Sequence, residues 1–188
     1  MTRLERTLAA IDAANAADPA REDGAPAAFL YGRRMSARLA AFAPGAGEAL
    51  QIAARGQHIE RWVIPRADYA PGKAGYHAWR NAQKARHATR LAEIAGRSGY
   101  DADAIARIGA IVRKEGLKRD ADAQALEDVA CLVFLEFHAA DFAAKHAQDR
   151  TVDILARTWR KMSEAGRAAA LKLDLPPAVR ALVEMAAR

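Results

Sequence analysis

The run Leu126-Glu127-Asp128-Val129-Ala130-Cys131-Leu132-Val133-Phe134-Leu135 is the part of the sequence that decides the fold. It belongs to a predicted helix from about Asp122 to Phe142, the most apolar in the chain. A helix that is apolar on most sides is typical of a protein core. Elsewhere apolar residues recur at helical spacing, and no segment alternates with a period of two. The sequence therefore predicts an all-α, single-domain helical bundle with no sheet.

Other helices are predicted on both sides of this run from the same spacing and from glycine and proline positions. Asp101 is the expected N-cap of one helix, and Gly99 is the expected C′ residue of the helix before it. The remaining predicted helices are a first helix that ends around Asn15, then Pro26 to Phe42, Glu48 to about Arg61, Gly75 to about Ser98, Asp101 to Gly116, Val152 to Met162, Ser163 to Leu171 and Pro177 to Ala187. We expect one domain over residues 1–188, with a core over about 26–142 and C-terminal helices over 148–188 that pack on it.

Composition narrows the class of protein. The apolar fraction is 52%, but no apolar stretch reaches the roughly 20 residues that a membrane-spanning helix needs. The N-terminus lacks the apolar region of a signal peptide, so none is expected. The single cysteine, Cys131, lies in an apolar run and is predicted to be buried. These features predict a cytoplasmic protein that is not a membrane protein.

Four polar residues are predicted to lie on inward faces of helices. His58 follows Ala54 by one helical turn, and His87 shares a face with apolar residues of its helix. Glu127 and Asp128 precede the apolar run, where an unpaired carboxylate would be costly to bury. Histidine nitrogens and a carboxylate from different helices could bind a divalent cation, with His58, His87 and Asp128 as the ligands. Ordinary hydrogen bonds to neighbouring groups are the alternative for each of them.

The formal net charge is +6, which favours an anionic partner. Arg61, Arg66, Arg80 and Lys114 could together hold a phosphate. Solvated charge on helix surfaces is the simpler explanation for these residues. Nucleic acid is the least favoured partner, because no contiguous basic face or glycine-aromatic motif is present.

Several motifs of the chain resemble a known family. The runs are Gln57-His58-Ile59, Arg61-Trp62, Ile64-Pro65-Arg66, Trp79-Arg80 and Leu126 to Leu135. They resemble the domain-of-unknown-function family numbered 4202, over about Leu30 to Leu171. That resemblance implies no activity.

A more distant resemblance, to the HD superfamily of helical metal-dependent phosphohydrolases, does imply one. By this likeness His58, His87 and Asp128 would bind a metal ion, and Glu127 would be a ligand or base. Two family features are absent, since Ile59 replaces the aspartate of the His-Asp pair and no histidine occurs near Tyr31. The resemblance therefore implies a site for one metal ion at most.

Two functions follow as hypotheses. The first is an HD-like hydrolase of a phosphate ester, such as a nucleotide, in which one divalent metal ion (Mn, Fe, Zn or Mg) supplies hydroxide. In it Glu127 and Asp128 are the catalytic carboxylates, and Arg34 joins the other cations in neutralising phosphate oxygens. The alternative is a binding module that holds a small phosphorylated ligand without turnover. An iron-dependent oxygenase ranks lower, because the chain has too few histidines for it.

Overall fold

Helices make up most of the chain in the computed structural model, which describes residues 1–187. Ten α-helices occur within these residues: α1 (Arg3–Asn15), α2 (Ala27–Phe42), α3 (Glu48–Arg55), α4 (Gly72–Arg97), α5 (Ala102–Arg113), α6 (Ala121–Val133), α7 (Ala139–Lys145), α8 (Gln148–Lys161), α9 (Glu164–Leu171) and α10 (Pro177–Ala186). The prediction of a single all-α domain is confirmed. No helix of the described residues is both long and apolar enough to cross a membrane.

Two predicted helix boundaries show why the helices begin and end where they do. The carboxylate of Asp101 accepts a hydrogen bond from the backbone N–H of Ala104 at 2.8 Å, which confirms it as the N-cap of α5. Gly99 follows the last turn of α4 with a φ of +91°, a conformation that glycine adopts without strain. Both local signals were readable in the sequence because each depends on neighbouring residues alone.

One small hairpin departs from the prediction that the chain contains no sheet. The strands β1 (Arg21–Glu22) and β2 (Ala25–Pro26) pair antiparallel just before α2. Asp23 and Gly24 join them with φ values of 50° and 78°. Positive φ at both central residues is what a two-residue hairpin of type I′ requires, and Asp-Gly is a preferred pair for it. The strands are too short to produce the alternating pattern by which strands are recognised.

The apolar helix α6 is shared by two clusters of buried side chains. Its Leu126 and Val129 belong to a cluster that α1 to α5 complete, and Ile11 of α1 lies in the same cluster. Its Cys131 and Leu132 belong to a second cluster formed with α7 to α10. The prediction that Cys131 is buried is confirmed. Because residues of α6 belong to both clusters, α6 connects the cluster of α1 to α5 with the cluster of α7 to α10.

The long helix predicted from Asp122 to Phe142 is interrupted. A π-helical turn, Phe134–His138, separates α6 from α7. Glu136 of this turn forms an ion pair with Arg38 of α2. The wider turn changes which residues face the core, and helical spacing in the sequence does not register such a change.

Candidate functional site

Residues 56–66, which follow α3, form a loop that contributes one wall of a pocket. The sequence predicts that α3 continues to about Arg61, and this prediction is wrong, because α3 ends with the residue before Gly56. A Cβ atom at Gly56 would lie 2.3 Å from Cδ2 of the fully buried Leu91 in α4. The chain therefore passes close to α4 at this point, and His58 lies in the loop that follows.

Side chains of α4 hold this loop in place. The indole N–H of Trp79 donates to the carbonyl of Ile64 at 2.9 Å. The Nε2 group of Gln83 donates to the carbonyls of Arg61 at 2.8 Å and Ile64 at 3.0 Å. The carboxylate of Glu60 forms ion pairs with two arginines of α4, at 2.8 and 3.2 Å. The loop is thus fixed along its length by one rigid helix.

A pocket that is partly open to solvent, with about 30 Å³ of enclosed space, lies between the loop, α4 and the end of α5. We call it the basic pocket. Four cationic side chains, two imidazoles and two amides contribute to its lining, together with one valine. These residues are Arg61, Arg80, Lys84 and Lys114, His58 and His87, Gln57 and Gln83, and Val112.

Three of the four cations have no acidic partner. In the described part of the chain neither Arg61, Arg80 nor Lys84 forms an ion pair with a carboxylate. The guanidinium of Arg61 instead stacks over the ring of Trp79, 4.6 Å from its centroid. Burial lowers the pKa of Lys84, and the charges of Arg80 and Lys114 lower it further. The pocket therefore concentrates positive charge that the protein leaves largely unneutralised.

Lys114 is held at the pocket by its backbone and by a carboxylate. It ends α5 in the left-handed conformation, with a φ of 60°, and its ammonium group forms an ion pair with Glu127 of α6. Both side chains are more than nine-tenths buried, and Lys161 lies 3.8 Å from the same carboxylate. Burial raises the pKa of Glu127, but Lys114 and Lys161 outweigh it and hold this pKa below its ordinary value. Glu127 is consequently an ionised partner of a lysine and a poor proton donor at neutral pH.

The two imidazoles of the pocket are uncharged. The His58 ring stacks on Tyr31 with 4.2 Å between centroids, and 6.1 Å separates it from the His87 ring. Burial, and then the charge of Arg61, lowers the pKa of His58 well below its ordinary value. The same two causes lower the pKa of His87 to about 3. Neutral imidazoles allow hydrogen bonding without adding to the positive charge.

Asp128 makes hydrogen bonds away from the basic pocket, although the prediction that it is buried is confirmed. Its carboxylate accepts from the backbone N–H of Ser163 at 2.8 Å and from the Ser163 hydroxyl at 2.6 Å. The Nε2 group of Gln124 donates to it at 3.1 Å. Ser163 in turn caps α9 by accepting from the N–H of Gly166 at 3.0 Å. Asp128 therefore fastens the start of α9 to α6.

The predicted metal ligands do not assemble as the resemblance to HD phosphohydrolases implies. His58 and His87 line one pocket, whereas both oxygens of Asp128 already accept hydrogen bonds elsewhere. Among residues 1–187 no group of three or more His, Cys, Asp or Glu side chains could hold a metal ion. Metal binding by these three residues and the resemblance itself stay predictions.

The cations predicted to bind phosphate separate into two groups. Arg61, Arg80 and Lys114 line the basic pocket. Arg34 instead forms ion pairs with the two acidic residues of the β1–β2 hairpin and stacks 4.3 Å from the ring centroid of Phe137. The guanidinium of Arg66 donates to two backbone carbonyls, at 2.8 and 3.0 Å. Arg34 and Arg66 therefore stabilise local structure and do not line the basic pocket.

Sequence reasoning missed three residues of the pocket, Lys84, Gln57 and Gln83. Lys84 follows Arg80 by one helical turn, so a signal was present in the spacing. Gln83 lies one turn before His87 on α4, and it is 2% exposed. Its role as an anchor of the loop depends on contacts distant in sequence, which the spacing does not reveal.

Comparison with known proteins identifies the family. The sequence model of the family described as domain of unknown function (DUF4202) matches residues 5–183, and the chain belongs to this family. No curated protein and no solved structure gave a significant match to the chain.

Proposed function

We propose that this protein binds a small phosphorylated ligand in the basic pocket. The observation that carries the proposal is the group of three cations, Arg61, Arg80 and Lys84, that line one pocket without acidic partners. Like charges in a partly buried site repel one another, and an anion between them removes that cost. Arginine matches the geometry of phosphate oxygens especially well, because its planar group donates two parallel hydrogen bonds.

The arrangement of the cations around one pocket favours a small molecule over a polymer. Nucleic acid is recognised by cations spread along a surface that follows the backbone. The cations here converge on a concave site, which favours a single phosphate group.

Hydrolysis of the bound ester stays a prediction. The neutral imidazoles of His58 and His87 could orient a phosphate ester, and Lys114 could assist in neutralising its charge. The test is the release of inorganic phosphate from phosphate esters, with and without added Mn²⁺. Release that depends on the metal ion would favour the hydrolase, and tight binding without release would favour the binding module.

The proposal is tested by calorimetric titration with inorganic phosphate and with phosphate esters at low ionic strength. Lys84→Gln removes one charge of the pocket, and we expect weaker binding by roughly 10- to 150-fold, the equivalent of one charged hydrogen bond of about 1.5–3 kcal/mol. Lys73→Gln is the matched control, because Lys73 is an exposed lysine of the same helix that does not line the pocket.

We expect Lys73→Gln to bind as the wild type does, and added salt to weaken binding by screening the charges. Equal losses of affinity in the two variants would mean that binding depends on the net charge of the protein alone. Absence of binding to the wild type by any of the phosphate compounds would contradict the proposal.

A further inference from the structure

Three buried side-chain atoms of the basic pocket that can accept a hydrogen bond have no partner within residues 1–187: Oε1 of Gln57 in the loop, and Oε1 of Gln83 and Nε2 of His87 in α4. Gln83 is only 2% exposed. The amide orientation is set by its surroundings, because Nε2 donates to the carbonyls of Arg61 and Ile64. Oε1 is therefore the amide atom that faces away from these two carbonyls, and within residues 1–187 it has no hydrogen-bond partner.

Nε2 of His87 belongs to a residue that is 3% exposed. A neutral imidazole has one donor nitrogen and one acceptor nitrogen. In the tautomer that carries the proton on Nδ1, Nε2 is the acceptor, and it has no donor in the described part of the chain.

Two of the three acceptors belong to the same side of one helix. Gln83 and His87 are one turn apart on α4 and both line the basic pocket. Buried acceptors without donors destabilise a fold, so a pair of them in one pocket indicates that something else supplies the donors. A ligand of the basic pocket must therefore carry the negative charge that the cations favour and also donate hydrogen bonds to these two atoms.

A phosphate group alone does not meet both requirements. Its oxygens accept hydrogen bonds, so they suit Arg61 and Lys84 but have nothing to donate to Gln83 or His87. Among these positive charges a phosphate is also driven to lose its last proton. An amine could donate, but its charge would be repelled by the same cations. A hydroxyl group can donate and carries no charge.

We infer that the ligand of the basic pocket is a phosphorylated polyol, whose phosphate is held by the cations and whose hydroxyl groups donate to Gln83 and His87. This inference rests on the proposed binding of a phosphorylated ligand. It narrows the ligand to the class that includes sugar phosphates and the ribose phosphate part of nucleotides. A simple alkyl phosphate lacks the donors and would leave both acceptors unpaired.

The test compares two ligands with the same carbon skeleton. Glycerol 3-phosphate carries two hydroxyl groups that n-propyl phosphate lacks, and inorganic phosphate serves as the third titrant. We expect glycerol 3-phosphate to bind at least about tenfold more tightly than n-propyl phosphate in calorimetric titrations. Equal affinity of the three compounds would overturn the inference and leave phosphate binding intact. Failure of all three to bind would overturn both.

A variant then tests whether the preference for glycerol 3-phosphate arises in the basic pocket. His87→Phe keeps an aromatic ring and removes the acceptor nitrogen, so we expect the preference for glycerol 3-phosphate over n-propyl phosphate to fall at least about threefold. His77→Phe, at an exposed position of the same helix, is the control. An unchanged preference in a folded His87→Phe would overturn the inference. Should that variant not fold, the comparison of ligands on the wild type decides the matter.

Discussion

Replacement of Asp128 distinguishes between two roles for its carboxylate, that of a structural hydrogen-bond acceptor and that of a metal ligand. Its three donors, two from Ser163 and one from Gln124, lie between 2.6 and 3.1 Å away. Asp128→Ala removes all three hydrogen bonds and leaves the donors without their acceptor in a site where the residue is 1% exposed. Hydrogen bonds to a charged group contribute about 1.5–3 kcal/mol each, but such contributions do not add fully.

We therefore expect Asp128→Ala to lower the free energy of unfolding by about 3–5 kcal/mol, near the upper limit for single substitutions. For a chain of this length that corresponds to a melting temperature roughly 6–20 °C lower. Asp128→Asn keeps the shape and part of the hydrogen bonding, so its loss should be smaller, about 1–3 kcal/mol.

The assay is urea unfolding followed by circular dichroism, in the presence of a metal chelator. The chelator makes the result depend on the hydrogen bonds alone. Calorimetric titration of Asp128→Asn with phosphate esters should give wild-type affinity, because Asp128 does not line the basic pocket. Wild-type stability of both variants in chelator, together with loss of a metal-dependent activity, would refute the reasoning.

Three further predictions concern the pocket and the loop beside it. The folded state lowers the pKa of His87 to about 3, below the ordinary 6.5. Between these values the unfolded state binds more protons, so the free energy of unfolding must fall as the pH is lowered. Urea titrations should show that His87 lowers this free energy by about 2 kcal/mol at pH 5, an effect that His87→Gln abolishes and His77→Gln does not. Without ligand, Lys84→Gln should raise the melting temperature by roughly 1–2 °C, because it relieves repulsion within the pocket, whereas Lys73→Gln should leave it unchanged in a thermal melt. Gly56→Ala should lower the free energy of unfolding by about 1–3 kcal/mol, because the added methyl group meets a buried leucine of α4 at 2.3 Å; a stability equal to the wild type would show that the leucine moves freely.

Much of the fold was predictable because its signals are local. The apolar run around Val129 placed α6 in the core, and the face of α4 that carries His87 was assigned correctly, since that residue is 3% exposed. The caps at Gly99 and Asp101 depend only on adjacent residues. The end of α3 was predicted wrongly although Gly56 is a local stop signal for a helix, and its close approach to α4, which comes later in the chain, could not be read from the sequence.

The site was predictable only in part, for the same reason. Burial of Asp128 was foreseen from the helix pattern, but its partner Ser163 lies 35 residues further along the chain. Nothing in the spacing distinguishes a carboxylate that caps a distant helix from one that binds a metal ion. Likewise Arg34 and Arg61 look alike in the sequence, and only the packing assigns the first to the hairpin and the second to the pocket.

The central claim is that a phosphorylated ligand binds in the basic pocket, and nuclear magnetic resonance of the histidine rings tests it most directly. Glycerol 3-phosphate is titrated into the protein at neutral pH while the ring signals of His58, His87 and the exposed His77 are followed. We predict that the signals of His58 and His87 shift together along one saturable curve and that the signal of His77 does not move. Saturable binding that leaves the signals of His58 and His87 unchanged would contradict the account, because the ligand would then lie elsewhere.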